Sequence, residues 1–200
     1  MMSRSDIEIV RELTPAQRRQ AARICFDAFA AKFRVFMLFE DDPQKGAAAL
    51  CDCLNFEACF FALQGGKAVG LIGLDHGKTR FKHFSMRNLK RHYGLFGACW
   101  RVIFDKLYIH RIRPDELHID SIAVSSDVRG KGVGSLLIDA AFSHGCALGL
   151  KKATLEVVDT NPRAQALYER IGFAVTKTKR YGFLTRSAGF EAATHIAKPL

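Results

Sequence analysis

A glycine-rich segment between a strand pattern and a helix pattern is the feature that most constrains the fold of this chain. The strand pattern LHIDSIAV covers Leu117–Val124, and the glycine-rich segment VRGKGVGS covers Val128–Ser135. Apolar residues then recur at helical spacing over Gly132–Leu148, with Val133 and Leu137 on one side of the helix. A strand that passes through glycines into a helix gathers unpaired backbone N–H groups and the positive end of a helix dipole. That arrangement can bind an anion.

The rest of the sequence predicts a mixed α/β fold of about seven strands flanked by helices, in one domain covering residues 1–200. Thr14 can cap the first helix and Pro15 fits its first position, while Gln17 completes a capping box. Gln64-Gly65-Gly66-Lys67 predicts a hairpin turn. We expect strands at residues 7–13, 57–63, 67–74, 117–124, 153–159, 173–179 and 191–198, and helices at residues 14–33, 44–55, 132–148 and 161–172.

Composition argues against several classes of protein. The 200 residues are 48% hydrophobic, which is enough for an ordinary globular core. The opening MMSRSDIEIVRE has no apolar segment typical of a signal peptide, and no apolar run reaches the roughly 20 residues that span a bilayer, so we expect a cytoplasmic protein. The six cysteines lie mostly in apolar stretches, which favours free thiols. Cys51-x-Cys53 is a weak metal signal, and we expect no metal.

The positive charge is concentrated in one segment. The net charge is +10, and residues 76–114 contain ten lysines and arginines but only one acid, Asp105. Aromatic residues such as Phe96 and Trp100 favour burial over an extended basic arm. We interpret residues 75–114 as a helical basic insertion between the third and fourth strands. Three roles stay open for it: a lid over the acceptor, a homodimer surface, or a basic patch for an anionic partner. No nucleic-acid motif is present, so we expect no nucleic-acid partner.

Two common phosphate motifs are absent from the glycine segment. A P-loop requires GxxxxGK followed by Ser or Thr, and the dinucleotide motif requires GxGxxG, where this chain has Ser135 in place of the last glycine. Taken alone, the glycines fit a phosphate site and a tight turn equally well.

Two motifs resemble those of the GNAT superfamily of N-acetyltransferases. Arg129-x-x-Gly132-x-Gly134 is similar to the family's R/Q-x-x-G-x-G/A signature, and NPRAQALYERIGF, which begins at Asn161, is similar to its second cofactor motif. The resemblance covers Leu117 to about Gly182. It implies a GNAT-like central twisted sheet and an enzyme that transfers the acetyl group of acetyl-CoA directly to a primary amine of a small molecule or a protein.

The resemblance also implies which residues bind acetyl-CoA. The glycine segment would cradle the pyrophosphate, and the strand ending in SIAV would hydrogen-bond the pantetheine arm through its backbone. Asn161 would contact the cofactor, although it also fits a helix cap. Tyr168 would protonate the departing thiolate, with a core tyrosine as the alternative. The cofactor-binding residues implied in this way are Ile122, Ala123, Val124, Arg129, Gly130, Lys131, Gly132, Val133, Gly134, Ser135, Asn161 and Tyr168.

Two strands carry the carboxylates expected to take the amine proton. In the family these strands often splay apart, which implies unpaired backbone groups at residues 122–124 and 155–157. Asp120 and Glu156 lie on them, where a charged side chain is uncommon unless it is exposed or used, and a salt bridge explains either equally well. Asp120 is preferred as the base, directly or through water, and is expected to share a strand face with His118 and Ile122. His118 is the fallback.

Two other functions stay open. The chain could be a CoA-binding regulatory module without catalysis, in which case changing Asp120, Glu156 and Tyr168 would leave its biological effect intact. It could also be a basic-surface binder of an anionic partner, whose binding would fall steeply with salt.

Overall fold

A seven-stranded sheet forms the centre of the fold. The computed structural model of the chain describes residues 6–107, 112–181 and 190–200. The strands are β1 (Ile7–Val10), β2 (Cys59–Gln64), β3 (Lys67–Asp75), β4 (Glu116–Val124), β5 (Lys152–Val158), β6 (Ala174–Arg180) and β7 (Ala192–Pro199). They lie in the order β1-β2-β3-β4-β5-β7-β6. All neighbours are antiparallel except β4 and β5, which are parallel. The predicted mixed sheet of about seven strands is confirmed.

Helices cover the sheet on two sides and divide the core. They are α1 (Pro15–Ala28), α2 (Ala30–Lys32), α3 (Pro43–Cys53), α4 (Met86–Leu107), α5 (Val133–Ala147) and α6 (Pro162–Arg170). One core cluster joins α1 and α3 to Leu71 of β3, while the other joins α5 and α6 to the next residue, Ile72. Successive strand residues point to opposite faces, so the helices of these clusters lie on opposite sides of the sheet.

The sequence signals at the first helix are largely confirmed. Thr14 and Gln17 form the predicted capping box. The helix ends at Ala28, however, and not at Phe33 as expected. The apolar pattern continues because Phe33 is fully buried, but the chain reaches it through a break at Phe29 and enters a π-helical turn, Phe33–Met37. The first strand also ends earlier than expected, at Val10.

The basic insertion contains one long, broken helix. α4 lies between β3 and β4 and is interrupted at Gly94, where φ is 65°. Arg91 of α4 pairs with Asp52 of α3 at 2.7 Å, which ties the insertion to the body. Tyr108 and Arg111, which belong to the insertion by sequence, lie outside the described residues. Within the described ranges, no helix is both long and apolar enough to cross a membrane.

Candidate active site

Strands β4 and β5 are paired along only part of their length. Glu116–Ile119 pairs with Lys152–Leu155, but β4 continues to Val124 and β5 to Val158. The outer edges stay paired with β3 and β7 over the remaining residues. The inner edges therefore form a fork whose backbone N–H and C=O groups need another partner. The fork matches the expected splay, except that Leu155 is paired and the open part of β5 starts one residue later.

A β-bulge places Asp120 at the root of the fork. Gly73 of β3 pairs with Ser121, and the next residue, Leu74, pairs with Ile119, so Asp120 is the extra residue of β4. The bulge puts the side chains of Asp120 and Ser121 on the same side of β4. Both accept a hydrogen bond from the Nζ of Lys82, Asp120 through Oδ1 at 2.9 Å and Ser121 through Oγ at 3.1 Å.

The bulge also overturns one expectation about strand faces. Ile122 packs into the core beneath α5 and α6, whereas Lys82, the partner of Asp120, lies over the rings of Phe33 and Phe81 in the core beneath α1 and α3. The prediction that Asp120 shares a face with Ile122 is wrong, because the extra residue reverses the alternation of side chains along β4.

The ion pair between Lys82 and Asp120 is largely shielded from solvent. Its side chains are 7% and 17% exposed, and the closest approach is 2.9 Å. Burial acts to raise the pKa of Asp120, but the charges of Lys82 and Lys32 outweigh it, and the pKa is lowered. Burial acts to lower the pKa of Lys82, and the Asp120 charge reverses that effect. Both groups are therefore charged at neutral pH, and Asp120 is a weak base.

Glu156 lies at the root of the fork on the other strand. It directly follows the last paired residue, Leu155. Leu155 and Val157 are buried in the core beneath α5 and α6, so Glu156 points to the opposite face, which it shares with Asp120. Glu156 is exposed to solvent. The two carboxylates singled out in the sequence thus occupy equivalent positions on the two branches.

Asp75 is a titratable residue of this face that sequence reasoning missed. It ends β3, and one carboxylate oxygen accepts a hydrogen bond from the backbone N–H of Phe81 at 2.6 Å. Burial, reinforced by the nearby charge of Asp120, raises its pKa to about 6. No motif marks this residue; the available signal is an acid directly after the apolar run GLIGL.

A buried polar cluster supports the paired part of the two strands. Ligand atoms of Glu116, His118 and His195 lie within 4.8 Å of one another, which makes them the candidate metal ligands among the described residues. Thr154 lies between them, with its Oγ1 3.0 Å from the Nδ1 of His118. A hydrogen bond from Thr154 contributes to lowering the pKa of Glu116, against the effect of burial. Thr154 thus connects His118 and Glu116 through hydrogen bonds.

The cysteines are free thiols, as expected from their apolar surroundings. All six are free. Burial raises the pKa of both Cys25 and Cys53 to about 12, and it also raises the pKa of Cys51.

The glycine segment shapes the mouth of the fork. Gly130 and Gly132 adopt φ values of 79° and 81°, which favour glycine, and Gly132 is the N-cap of α5. No side chain of the described residues caps this helix, so the N–H groups of its first turn remain available to a ligand. A cleft of about 180 Å³ lies beside the segment, lined by Ile24, Asp27, Val124, Ser125, Ser126 and Arg129.

The basic side chains of the segment fold back onto the protein. Arg129 Nε donates to the carbonyl of Val124 at 3.1 Å, and Lys131 Nζ donates to the carbonyl of Asp127 at 2.9 Å. They hold the turn while keeping positive charge close to the first turn of α5. A larger depression of about 620 Å³ lies between α1 and the start of β3, and it contains none of the predicted site residues.

Tyr168 and Asn161 lie on α6, beside the other branch of the fork. Tyr168 packs edge-on against Phe173 with ring centroids 5.8 Å apart. Burial raises its pKa to about 12, so the phenol stays protonated, and its hydroxyl has no hydrogen-bond partner among the described residues. Asn161 accepts a hydrogen bond from the backbone N–H of Ala164 at 3.2 Å, which confirms the helix-cap interpretation.

Comparison with known proteins connects these features to a family. A model of the acetyltransferase (GNAT) family matches residues 22–173. The chain belongs to the GNAT acetyltransferase family. Acetyl-CoA is the acetyl donor of this family.

Relatives agree with the assignment over shorter stretches. The chain is 42% identical over 57 residues to a mycothiol acetyltransferase of Propionibacterium freudenreichii, which is 28% of this chain and 18% of that protein. It is 30% identical over 103 residues to the N-alpha-acetyltransferase MAK3 of Arabidopsis thaliana, which is 52% of this chain and 54% of that protein. The chain thus spans about half or less of these relatives.

A solved structure extends the likeness to nearly the whole chain. Ard1 from Thermoplasma volcanium superposes with a TM-score of 0.59 at 20% identity, covering 98% of each chain. At that identity the likeness shows a shared fold, and it includes the parts of the GNAT chain that lie outside the family match.

Proposed function

We propose that this GNAT protein transfers the acetyl group of acetyl-CoA directly to a primary amine. The observation that carries the proposal is the fork between β4 and β5. It has an uncapped helix N-terminus at its mouth and two carboxylates at its root. Each part matches one step of the reaction: binding an anionic, amide-containing donor and removing a proton from an amine.

Donor binding follows from the unpaired backbone. The pyrophosphate would bind the N–H groups at the start of α5, where helix dipole and glycine backbone favour an anion. The pantetheine amides would satisfy the open edge of β4 at Ile122–Val124. An N–H group of the same edge would stabilise the oxyanion that forms at the thioester carbonyl.

Direct transfer is favoured over an acetylated cysteine. Cys25 is the thiol whose pKa responds to both Lys82 and Asp120, which puts it next to the carboxylate site. It is fully buried, and with a pKa of about 12 it carries almost no thiolate at neutral pH. The amine nitrogen therefore attacks the thioester carbonyl itself, and the CoA sulfur leaves with the bonding electron pair.

The two carboxylates would have different tasks. Asp120 is held in an ion pair, which keeps its pKa low and makes it a poor proton acceptor. Glu156 is exposed at the first open residue of β5, where an incoming amine or a water molecule can reach it. We therefore assign the role of general base to Glu156, in place of the sequence-based preference for Asp120. Asp120 instead holds Lys82 in position.

Tyr168 would supply the proton that the leaving thiolate needs. Its phenol is protonated at neutral pH and has no hydrogen-bond partner among the described residues. Its helix lies on the side of the sheet opposite to the carboxylates. The proton for the CoA thiolate would thus come from one face of the sheet, and the base for the amine would lie on the other.

The acceptor is an amine of a small molecule or of a protein. The name of the mycothiol acetyltransferase supports a small-molecule acceptor, and the name of the N-alpha-acetyltransferase supports a protein acceptor.

The first experiment is calorimetric titration with acetyl-CoA, followed by a screen of amines for release of the CoA thiol. Wild type should bind, and Gly132→Glu should not, because a carboxylate would occupy the pyrophosphate position. Gly149→Glu is the matched control, since Gly149 has a φ of 69° and open space around it but lies at the other end of α5. Binding without transfer to any amine would favour the regulatory module, and no binding by wild type would refute the proposal.

A further inference from the structure

Helix α4 exposes an unusual number of large apolar side chains. Phe96 is 87% exposed, Ile103 56% and Leu95 55%, and Trp100 and Phe104 are also exposed. Outside α4, the exposed large apolar residues of the described chain are Leu148 and Val175, which lie on separate elements. A soluble surface tolerates such residues singly, whereas a group of them marks a contact surface.

The exposed residues form one side of the second half of α4. Phe96, Trp100, Ile103 and Phe104 follow the spacing of a single helix face, while Ala98 and Arg101 on the other side are buried. Lys106, which is exposed and charged, lies at the edge of this side of the helix. We call the face formed by Leu95, Phe96, Trp100, Ile103 and Phe104 the apolar face.

The apolar face is held rigidly. Arg101, beneath it, donates hydrogen bonds to the backbone carbonyls of Leu38 and Phe39, and its guanidinium lies 4.5 Å from the ring centroid of Trp100. The Phe39 ring packs against Trp100 at 4.4 Å and against Phe104 at 5.3 Å. These contacts hold the inner sides of the Trp100 and Phe104 rings, so that their outer sides face solvent.

Charge decides what covers the apolar face. The exposed charged residues in the described part of the insertion are all basic: Lys78, Arg87, Lys90, Arg91, Lys106 and Arg113. A second copy packed on the face would bring two sets of cations together, at an electrostatic cost. Anionic lipid headgroups complement them, and aromatic side chains favour the boundary between headgroups and acyl chains.

We infer that residues 95–106 of α4 lie in the interface of an anionic lipid bilayer, with the apolar face inserted and the basic residues at the headgroups. This is peripheral binding by an amphipathic helix, and no residue crosses the membrane. The inference does not depend on the proposed acetyl transfer.

The test uses the full chain and vesicles of defined lipid. Trp100 is the single tryptophan, so its emission reports the apolar face directly. With vesicles of phosphatidylcholine and about 30% phosphatidylglycerol, its emission should shift to the blue and the protein should sediment with the lipid. Phe96→Glu should weaken partitioning at least about tenfold, because a charge replaces an inserted ring. Val175→Glu, at an exposed apolar residue of β6, is the matched control and should have no effect.

Three outcomes would overturn the inference. Equal binding to pure phosphatidylcholine would remove the role of anionic lipid. A Trp100 emission unchanged by vesicles would show that the face does not enter the bilayer. Dimers seen by analytical ultracentrifugation without lipid, and lost in both Phe96→Glu and Ile103→Glu, would assign the face to a second copy. Both side chains are more than half exposed, so neither substitution threatens the fold.

Discussion

The two faces of the sheet at the fork differ in the chemistry they contribute. The face covered by α5 and α6 is apolar apart from Tyr168, and its polar contribution to the site comes mainly from backbone groups of the glycine segment. The face near α1 and α4 carries the Lys82–Asp120 pair, Asp75 and Glu156. Backbone dipoles suit a donor that is always the same, whereas titratable side chains suit an acceptor that must lose a proton. The four predictions below test this division.

The largest effect is expected on the charged face. Lys82→Met leaves the carboxylate of Asp120 largely buried without its cation, which should cost about 3–5 kcal/mol of unfolding free energy. Urea denaturation at neutral pH measures it. The double variant Lys82→Met/Asp120→Asn should recover most of the loss, because no uncompensated charge remains. A loss below about 1 kcal/mol for the single variant would mean that the pair behaves as a surface ion pair.

Glu156→Gln tests which carboxylate acts as the base. We expect kcat/KM for the best amine to fall about 100-fold, because the amine proton then has no acceptor. Glu169→Gln, an exposed acid on α6, is the control. If Asp120→Asn lowers kcat/KM about 100-fold and Glu156→Gln leaves it unchanged, the assignment of roles is reversed.

Asp75 should give the charged face its own pH dependence. Its pKa in the folded protein is raised to about 6, so the folded state holds this proton more tightly than the unfolded chain does. The contribution is complete below the unfolded pKa of about 4 and is lost as the pH rises through the folded value of about 6, on the order of 3 kcal/mol. Asp120, with a lowered pKa, contributes in the opposite direction at lower pH.

The measurement is unfolding free energy from about pH 4 to pH 7. Asp75→Asn should flatten the decline, while Asn in place of Asp41, whose side chain is 98% exposed, should leave it unchanged. An equally steep decline in Asp75→Asn would show that another group is responsible.

The smallest effect is expected on the face covered by α5 and α6. Tyr168→Phe should lower kcat about tenfold by removing the proton for the thiolate, with acetyl-CoA affinity in calorimetry nearly unchanged. Tyr93→Phe is the control, because the Tyr93 hydroxyl is buried without a partner in the described part of the chain. An unchanged kcat would leave Tyr168 with a packing role only.

Much of the fold could be read from local sequence because local forces decide it. The capping box at Thr14 and Gln17, the cap at Asn161 and the glycine turn before α5 depend on residues a few positions apart. The end of α1 could not be read in this way, because Phe33 is apolar and buried whether the chain reaches it by an α-helix or through a π-helical turn.

The site shows the same limit. Asp120 and Glu156 were identifiable as charges in strands, but the bulge at Asp120 depends on how β4 pairs with β3, and this pairing is not local. Lys82 lies 38 positions before its partner, and Asp75 gains its raised pKa only from burial next to that pair. Neither residue has a sequence signature of its role.

The sequence alone therefore determined the order of strands and helices, the glycine turn before α5 and the family, since each is written in spacings of a few residues. Tertiary structure decided which charges meet and which apolar side chains stay outside. The insertion illustrates the second point. Its aromatic residues predicted burial, which holds for Phe81 and Phe84, yet Phe96, Trp100 and Phe104 are exposed because α4 packs through its opposite side. Whether an amphipathic helix buries its apolar side depends on the surface it meets, and that surface is assembled from distant parts of the chain.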